Sequence, residues 1–572
     1  MIATLIALAL LLPFLTALLI ALERQERFGP WLLPWAALPA LLVGVMAGPE
    51  VRLDVPWLLL GTSFGLEAVQ RTILLFTALL WGLAAVFAQG YHAEDPHRRR
   101  FFVFFLLTMG GNLGLILAQD VIGFYLFFAV MNFAAFGLIV HTASAEARYA
   151  AGVYLVLVII GEALILPALW TLAAAADSLE LAALAEAAGA ADTPGWVIGG
   201  IIFGFGIKAG LIPLHVWLPL AHPVAPTPAS AVLSGTMIKA GLLAWLSLLP
   251  IGVQPLEGWG LLLMGLGIVA AFYGVVAGLA QDKAKTLLAY SSISQMGLIT
   301  IAVGVGLTNP FMATAAFTAA TVYAFHHGLA KGALFLGVGI VEHCAHRRQQ
   351  IVALVLLALP AAALAGLPLT SGIVAKTALK EAVAVGPPDW AAALDVLLPL
   401  AALGTALLML RFFAIMAKTL RAGDGGDLWA PWLTLLFSVA ILLWLPPISS
   451  PQLVLKAFES DALWVGTWPV LLALAIAAAV WFQGHRLPWL TAIRIPAGDL
   501  LALVLRLQPV ALAAWHEATQ ERPGLETHLE KRLPSRRDLS SRLVRAETWL
   551  SRWPIAGLAF LLVVAALVVL AV

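Results

Sequence analysis

The chain has 572 residues, 62% of them hydrophobic and 11% charged, with a mean hydropathy of +0.98 and a formal net charge of +1. Such a composition excludes a water-soluble globular domain and calls for many spanning helices, since about 20 apolar residues are needed to cross a bilayer core. The near-zero charge gives a nucleic-acid partner no support, and the single cysteine, Cys344, excludes a disulfide framework or an iron–sulfur or haem centre built on several thiolates, so no cofactor is assigned.

Apolar runs in chain order predict sixteen spans, near residues 1–22, 30–48, 71–90, 101–118, 121–141, 150–174, 195–217, 227–249, 257–280, 285–306, 311–341, 352–381, 392–417, 428–447, 463–482 and 553–572. The expected fold is therefore all-α and polytopic. The run from Met1 to Leu22 lacks a basic start and a small-residue cleavage pattern, and reads as a first span, not a removed signal peptide. Basic residues concentrate on the cytoplasmic side of membrane proteins. With the N-terminus outside, the inward loops hold Arg24, Arg27, Arg98 to Arg100, Arg148, Lys283, Lys285, Arg347, Arg348, Lys418 and Arg421, and the outward loops little beyond Arg52 and Lys456. The alternation supports the span count.

Residues 483–552 differ in character. Between 521 and 552 there are eight Lys or Arg against five Asp or Glu, with Leu525, Leu529 and Leu533 at helical spacing. That pattern reads as an amphipathic segment on the inner membrane surface, either a basic linker or a lateral brace along neighbouring subunits.

Five of the ten lysines, Lys208, Lys239, Lys331, Lys376 and Lys380, fall inside or at the ends of predicted spans, and the first 207 residues contain none. A cation at the bilayer centre costs roughly 3 kcal/mol on insertion scales, so each is a functional candidate. Burial disfavours the charged amine and a nearby carboxylate favours it, so moving the carboxylate can release the proton. His327 and Lys331 share one helix face, as do Lys376 and Lys380, and His326 adds a group that titrates near neutrality. Lys380, near a span end beside Glu381, reads as snorkelling to the surface. His215 and His222 flank a proline-rich turn and either join the relay or hydrogen-bond loop backbone. The isolated histidines show no metal-ligand spacing with carboxylates or thiols, so no metal is assigned. Ala209-Gly-Leu-Ile-Pro213-Leu and Ala365-Gly-Leu-Pro368-Leu echo each other, each a proline break near a lysine. Such breaks expose backbone groups that must face protein or a water-filled cavity.

Several motifs resemble one family: Lys208-x4-Pro-Leu-His-x-Trp-Leu-Pro, Ala221-His-Pro-x-Ala-Pro, Ser230-Ala-x2-Ser-Gly-x3-Lys239, Leu288-Ala-Tyr-Ser-Ser-Ile-Ser-Gln-Met-Gly297, His327-x3-Lys331 and Gly366-Leu-Pro-x3-Gly372-x3-Lys376. They are similar to the antiporter-like subunits of respiratory complex I, Mrp-type sodium/proton antiporters and the membrane arms of group 4 hydrogenases, with wording most similar to the hydrogenase-4 B and Mrp D-type branch. The resemblance implies a fourteen-helix core with two inverted five-helix repeats containing broken helices. The chain would divide into N-terminal helices (1–100), a first half-channel (101–250), a second half-channel (251–420), further core helices (421–482), the lateral segment (483–552) and a final helix (553–572).

By the same resemblance, Lys208 is the central lysine of the first half, Lys239 the connecting lysine, Lys331 with His327 the central group of the second, and Lys376 the terminal group. The family glutamate expected nine positions after Asp120 is missing, because Ala129 stands there. Glu162, the one deep acidic residue nearby, is expected to replace it as the partner of Lys208. The implied activity is proton translocation along Lys208, Lys239, His327, Lys331, Lys376 and Glu162, with His215, His222, His326, Lys380 and Asp120 as accessory candidates. The expected partners are other membrane subunits, protons or sodium ions, and the lipid bilayer. Mrp-type sodium/proton antiport and a non-conducting structural role are the alternatives.

Overall fold

A computed structural model describes residues 1–22, 29–48, 51–58, 61–418, 420, 428–446, 448–483 and 495–502. The chain forms two compact units, Met1–Val55 with Thr62–Gly498, and Pro56–Gly61 with Asp499–Val572. All elements named here belong to the first. The expected lateral segment, apart from residues 483 and 495–502, and the expected final span lie outside the described residues.

Among the described residues, 13 helical segments are long and apolar enough to cross a membrane, and shorter apolar helices at Leu33–Met46 and Trp429–Trp444 fall on two further predicted spans. In lipid the backbone must satisfy itself, which is why these runs are helical. The chain opens with α1 (Ile2–Leu22), α2 (Leu38–Met46) and α3 (Ala68–Tyr91). Between α2 and α3 lies an antiparallel pair, β1 (Arg52–Val55) and β2 (Thr62–Gly65), with Arg52 opposite Gly65 and Val55 opposite Thr62. This pair corrects the purely helical expectation. In β1 the polar Arg52 and Asp54 alternate with Leu53 and Val55, a two-residue period that suits a half-covered strand.

Two sets of five follow. The first is α4 (Arg98–Leu117), α5 (Val121–Ile139), α6 (Ala145–Ala176), the broken pair α7 (Gly195–Ala209) and α8 (Trp217–Val224), then α9 (Thr227–Val232) running through a π turn at Leu233–Met237 into α10 (Ile238–Leu248). The second is α11 (Glu257–Leu279), α12 (Ala284–Thr308), α13 (Ala313–His343), the broken pair α14 (Arg347–Ala365) and α15 (Ser371–Ala384), and α16 (Pro388–Lys418). Helices α17 (Trp429–Ile441) and α18 (Ser460–Gln483) close the described bundle.

The break falls in the fourth member of each set and has the same chemistry. Gly210 and Gly366 follow the last helical alanine with φ +77 and +83, a left-handed conformation that glycine adopts without a Cβ penalty. The next residue then donates back across the end, Leu211 to the Gly206 carbonyl at 2.8 Å and Leu367 to the Ala362 carbonyl at 3.1 Å. The faint sequence echo is thus a repeated helix stop.

Close packing within the second set rests on glycine. A Cβ at Gly260, Gly267 or Gly274 of α11 would stand 2.6 to 2.7 Å from a backbone oxygen of α12, and small residues at such spacing let helices in lipid approach closely. Gly267→Val is therefore expected to destabilise by roughly 1–3 kcal/mol through overpacking. A thermal melt of the purified complex against wild type checks this; an unchanged melting temperature would mean the helices part freely.

Contacts gather the basic loops at one end of the bundle. Arg99 donates to the Ala21 carbonyl, Arg100 to the His141 carbonyl at 2.6 Å, and the Tyr91 and His343 rings stand 4.7 Å apart. At the other end Glu381 pairs with Lys456 at 2.5 Å.

Candidate functional site

Lys208 occupies the last turn of α7, at the negative end of that half-helix dipole, where a cation is favoured. Its side chain is 3% exposed. The amine donates to the Tyr154 hydroxyl at 3.2 Å and lies 5.3 and 5.5 Å from the ring centres of Tyr154 and Trp217, so aromatic faces supply part of the solvation lost on burial. Beside it is a void of about 10 Å³ lined by Phe128, Asn132, Tyr154 and Trp217, near the minimum that holds one water. Glu162, on α6, lies in Coulombic range of Lys208, and its nearest polar side chains are Tyr125 and Asn132, although neither carboxylate oxygen reaches hydrogen-bond geometry. Tyr125, Ala129 and Asn132 follow at i, i+4 and i+7 on α5, hence on one face. Glu162 therefore stands over the face on which Ala129 lies.

Lys239 and Lys331 are fully buried. The π turn at Leu233–Met237 shifts the backbone register, and the Lys239 amine donates to the Ser234 carbonyl at 2.8 Å. The Ser234 hydroxyl meets that of Ser292 on α12 at 2.7 Å. Ser292 donates to the Leu288 carbonyl at 3.0 Å, and the same carbonyl accepts from the Lys331 amine at 2.9 Å. The two amines thus end on separate backbone carbonyls, and the Ser234–Ser292 hydroxyl pair ties the last helix of the first set to the second helix of the second. His327 is buried in Coulombic range of Lys239, Lys331 and His326.

From there His326 meets the Ser371 hydroxyl at 2.8 Å, at the start of α15. The Lys376 amine donates to the Ala365 carbonyl, the last residue of α14, so both helix breaks hold a lysine amine at the C-terminal end of a half-helix. Lys376 lines a cavity of about 300 Å³ shared with Lys380, Glu381, Asp395, Lys456 and Glu459. Among the described residues no hydrogen bond joins Lys208 to Lys239.

The accessory candidates separate. Lys380 is half exposed and pairs with Asp395 at 3.5 Å. Asp120 caps α5, accepting from the Gly123 amide at 2.7 Å, the Ser63 amide at 2.9 Å and the Thr62 hydroxyl, so its oxygens are spent on tying α5 to β2. His215 is buried with its ring 5.4 Å from that of Tyr273, and His222 stacks on Phe335 at 4.6 Å, in Coulombic range of Lys285 and Lys331. Sequence reading missed Tyr154, Ser234, Ser371 and Lys285. Lys285 donates to the Ala225 carbonyl at 2.9 Å, just after α8. The Leu288–Gly297 motif did contain Ser292, but only the fold shows what it touches.

The family model described as "NADH:quinone oxidoreductase/Mrp antiporter, TM" matches residues 118–398, which include Glu162 and all five intramembrane lysines. The matched segment, just under half of the chain, resembles this antiporter-like family of membrane subunits. It is 29% identical over 301 residues to hydrogenase-4 component B of Escherichia coli (strain K12), covering 51% of this chain and 45% of that one. It is 28% identical over 415 residues to Na(+)/H(+) antiporter subunit A1 of Staphylococcus haemolyticus (strain JCSC1435), covering 66% and 51%. The chain thus spans about half the length of these curated relatives. Two solved structures share its fold. A chain of the membrane-bound sulfane sulfur reductase, an archaeal respiratory membrane complex, superposes with TM-score 0.64 at 22% identity, covering 82% of this chain and 99% of that one. The Mrp complex from Dietzia sp. DQ12-45-1b gives 0.62 at 24%, covering 99% and 63%. The overall fold is common to this chain and these two structures.

Proposed function

We propose that this antiporter-like subunit translocates protons within a multisubunit complex related to complex I and hydrogenase membrane arms, with energy entering through partner subunits and no cofactor of its own. The observation that supports this reading is the burial of the Lys208, Lys239 and Lys331 amines, each at most 3% exposed, within the membrane bundle. Protons pass along Lys208, Lys239, Lys331 with His327 and His326, and Lys376. Each amine cycles between charged and neutral as its neighbours' charges change. Glu162 supplies the carboxylate that the position of Ala129 lacks.

The end of the bundle bearing Arg98 to Arg100, Lys283, Lys285 and Arg347 faces the cytoplasm by the positive-inside bias. On this reading the N-terminus lies outside a bacterial inner membrane. Lys285 and His222 then lie on the inward approach to Lys331, and the cavity at Lys376 opens outward.

A second reading, sodium/proton antiport in an Mrp-type assembly, is supported by the likeness of 66% of the chain to a Na(+)/H(+) antiporter subunit. A potassium diffusion potential across proteoliposomes holding the purified complex separates the two. Proton uptake in choline chloride, without sodium, is the expected result. Uptake that appears only with sodium selects the antiporter reading. No uptake above protein-free vesicles overturns both and leaves the structural role that Ala129 first suggested.

A further inference from the structure

The loop between α3 and α4 and the end of α5 bring together three groups that the relay does not use. His92 and Asp95 come from the first, His141 from the second. One carboxylate oxygen, Asp95 Oδ2, lies 2.7 Å from His92 Nδ1 and 2.7 Å from His141 Nε2. One donor atom from each residue falls within 4.8 Å of the other two. Both rings are buried, 3% and 5% exposed, while the Asp95 side chain is 22% exposed and leaves an approach from water.

We propose that His92, Asp95 and His141 form a binding site for a divalent first-row transition-metal ion of the zinc class. Two imidazole nitrogens and one carboxylate oxygen are the donor set that such borderline ions select, whereas magnesium and calcium prefer oxygen ligands. Three protein donors leave a further position for water, on the side where Asp95 is exposed. Without an ion the Asp95 carboxylate accepts from both rings; an ion between the three would take the lone pairs of His92 Nδ1 and His141 Nε2, with the ring protons on the outward nitrogens.

The surroundings fit a site of moderate strength. Phe101 lies against the His92 ring at 4.0 Å between centres and 5.2 Å from that of His141, giving a dry wall. The outward nitrogens, His92 Nε2 and His141 Nδ1, have no hydrogen-bond partner. Ligand histidines normally have one, and its absence weakens binding by roughly 10- to 100-fold. The bound ion would tie the α3–α4 loop to the end of α5. The neighbouring Tyr91 ring packs on His343 at the end of α13, the helix that carries His327 and Lys331.

The sequence reading assigned no metal because no histidine showed ligand spacing. The fold corrects its premise, since His141 reaches the His92–Asp95 pair only in three dimensions. The competing explanation is a hydrogen-bonded clamp without an ion. Cobalt titration of the chelator-washed full complex distinguishes them. Visible ligand-field bands saturating at one Co²⁺ per subunit and displaced by Zn²⁺ are expected. They should be lost in both Asp95→Asn and His141→Ala, and Zn²⁺ should raise the melting temperature of wild type but of neither variant. Asp95→Asn retains an oxygen that accepts from both rings, so it keeps the clamp while removing the anionic ligand; if His141→Ala does not fold, Asp95→Asn decides. Absence of the bands in wild type, or their persistence in Asp95→Asn, overturns the site.

Discussion

Proton uptake by proteoliposomes holding the Lys331→Met complex is expected to fall about 100-fold, the scale on which a positioned acid–base group contributes to a proton-transfer step. Lys331 is fully buried, and its amine donates to the Leu288 carbonyl of the neighbouring helix α12. Methionine matches its length and packs in its place but carries no proton. The more informative partner is Lys331→Arg. A guanidinium keeps the positive charge yet does not deprotonate in proteins, so it should be as inactive as methionine. If arginine supports wild-type uptake, a fixed positive charge is what the position needs, and the relay is wrong there.

The second large effect concerns the missing glutamate. Glu162→Gln should slow uptake about tenfold or more, because it removes the negative charge in range of the Lys208 amine. Placing the carboxylate back on α5 should repair it. Ala129 lies between Tyr125 and Asn132 on one helix face, and these two are the polar side chains nearest Glu162, so the double variant Ala129→Glu with Glu162→Gln should recover most of the uptake. Recovery in the double variant, with Ala129→Glu alone close to wild type, identifies a relocated partner. Wild-type uptake in Glu162→Gln alone would show that Lys208 works without this carboxylate.

These two tests draw on different parts of the sequence. The spans were legible because each is a long apolar run, and lipid leaves such a run little choice but a helix. The breaks were legible because glycine and proline punctuate the same phrase twice, and at Gly210 and Gly366 the chain turns left-handed where a side chain would strain it. The identity of the buried amines followed from their cost in lipid. Their connections were not legible. That Ser234 meets Ser292 depends on a π turn that no propensity marks, and on the packing of helices 58 residues apart in sequence. The β1–β2 pair was hidden because a two-residue period over only four residues, Arg52 to Val55, does not stand out beside long apolar runs. Asp120 read as a relay candidate from its place in a motif, whereas its oxygens are taken by capping contacts from Gly123 and by β2. His141 could not be matched to His92 and Asp95, because only the turn at the end of α5 brings its ring to that carboxylate.

Several stretches of the path are unbridged by protein: among the described residues no hydrogen bond joins Lys208 to Lys239, neither ring nitrogen of His327 has a partner, and the void beside Lys208 is about 10 Å³. Conduction between the two halves therefore requires water there. The most direct measurement is an electron-microscopy map of the intact complex at a resolution that locates ordered water. Water molecules in hydrogen-bond reach of both amines, continuing past Lys331 to the cavity at Lys376, are the expected result. Closely packed apolar side chains filling the space between Lys208 and Lys239 would contradict a continuous proton path through this chain.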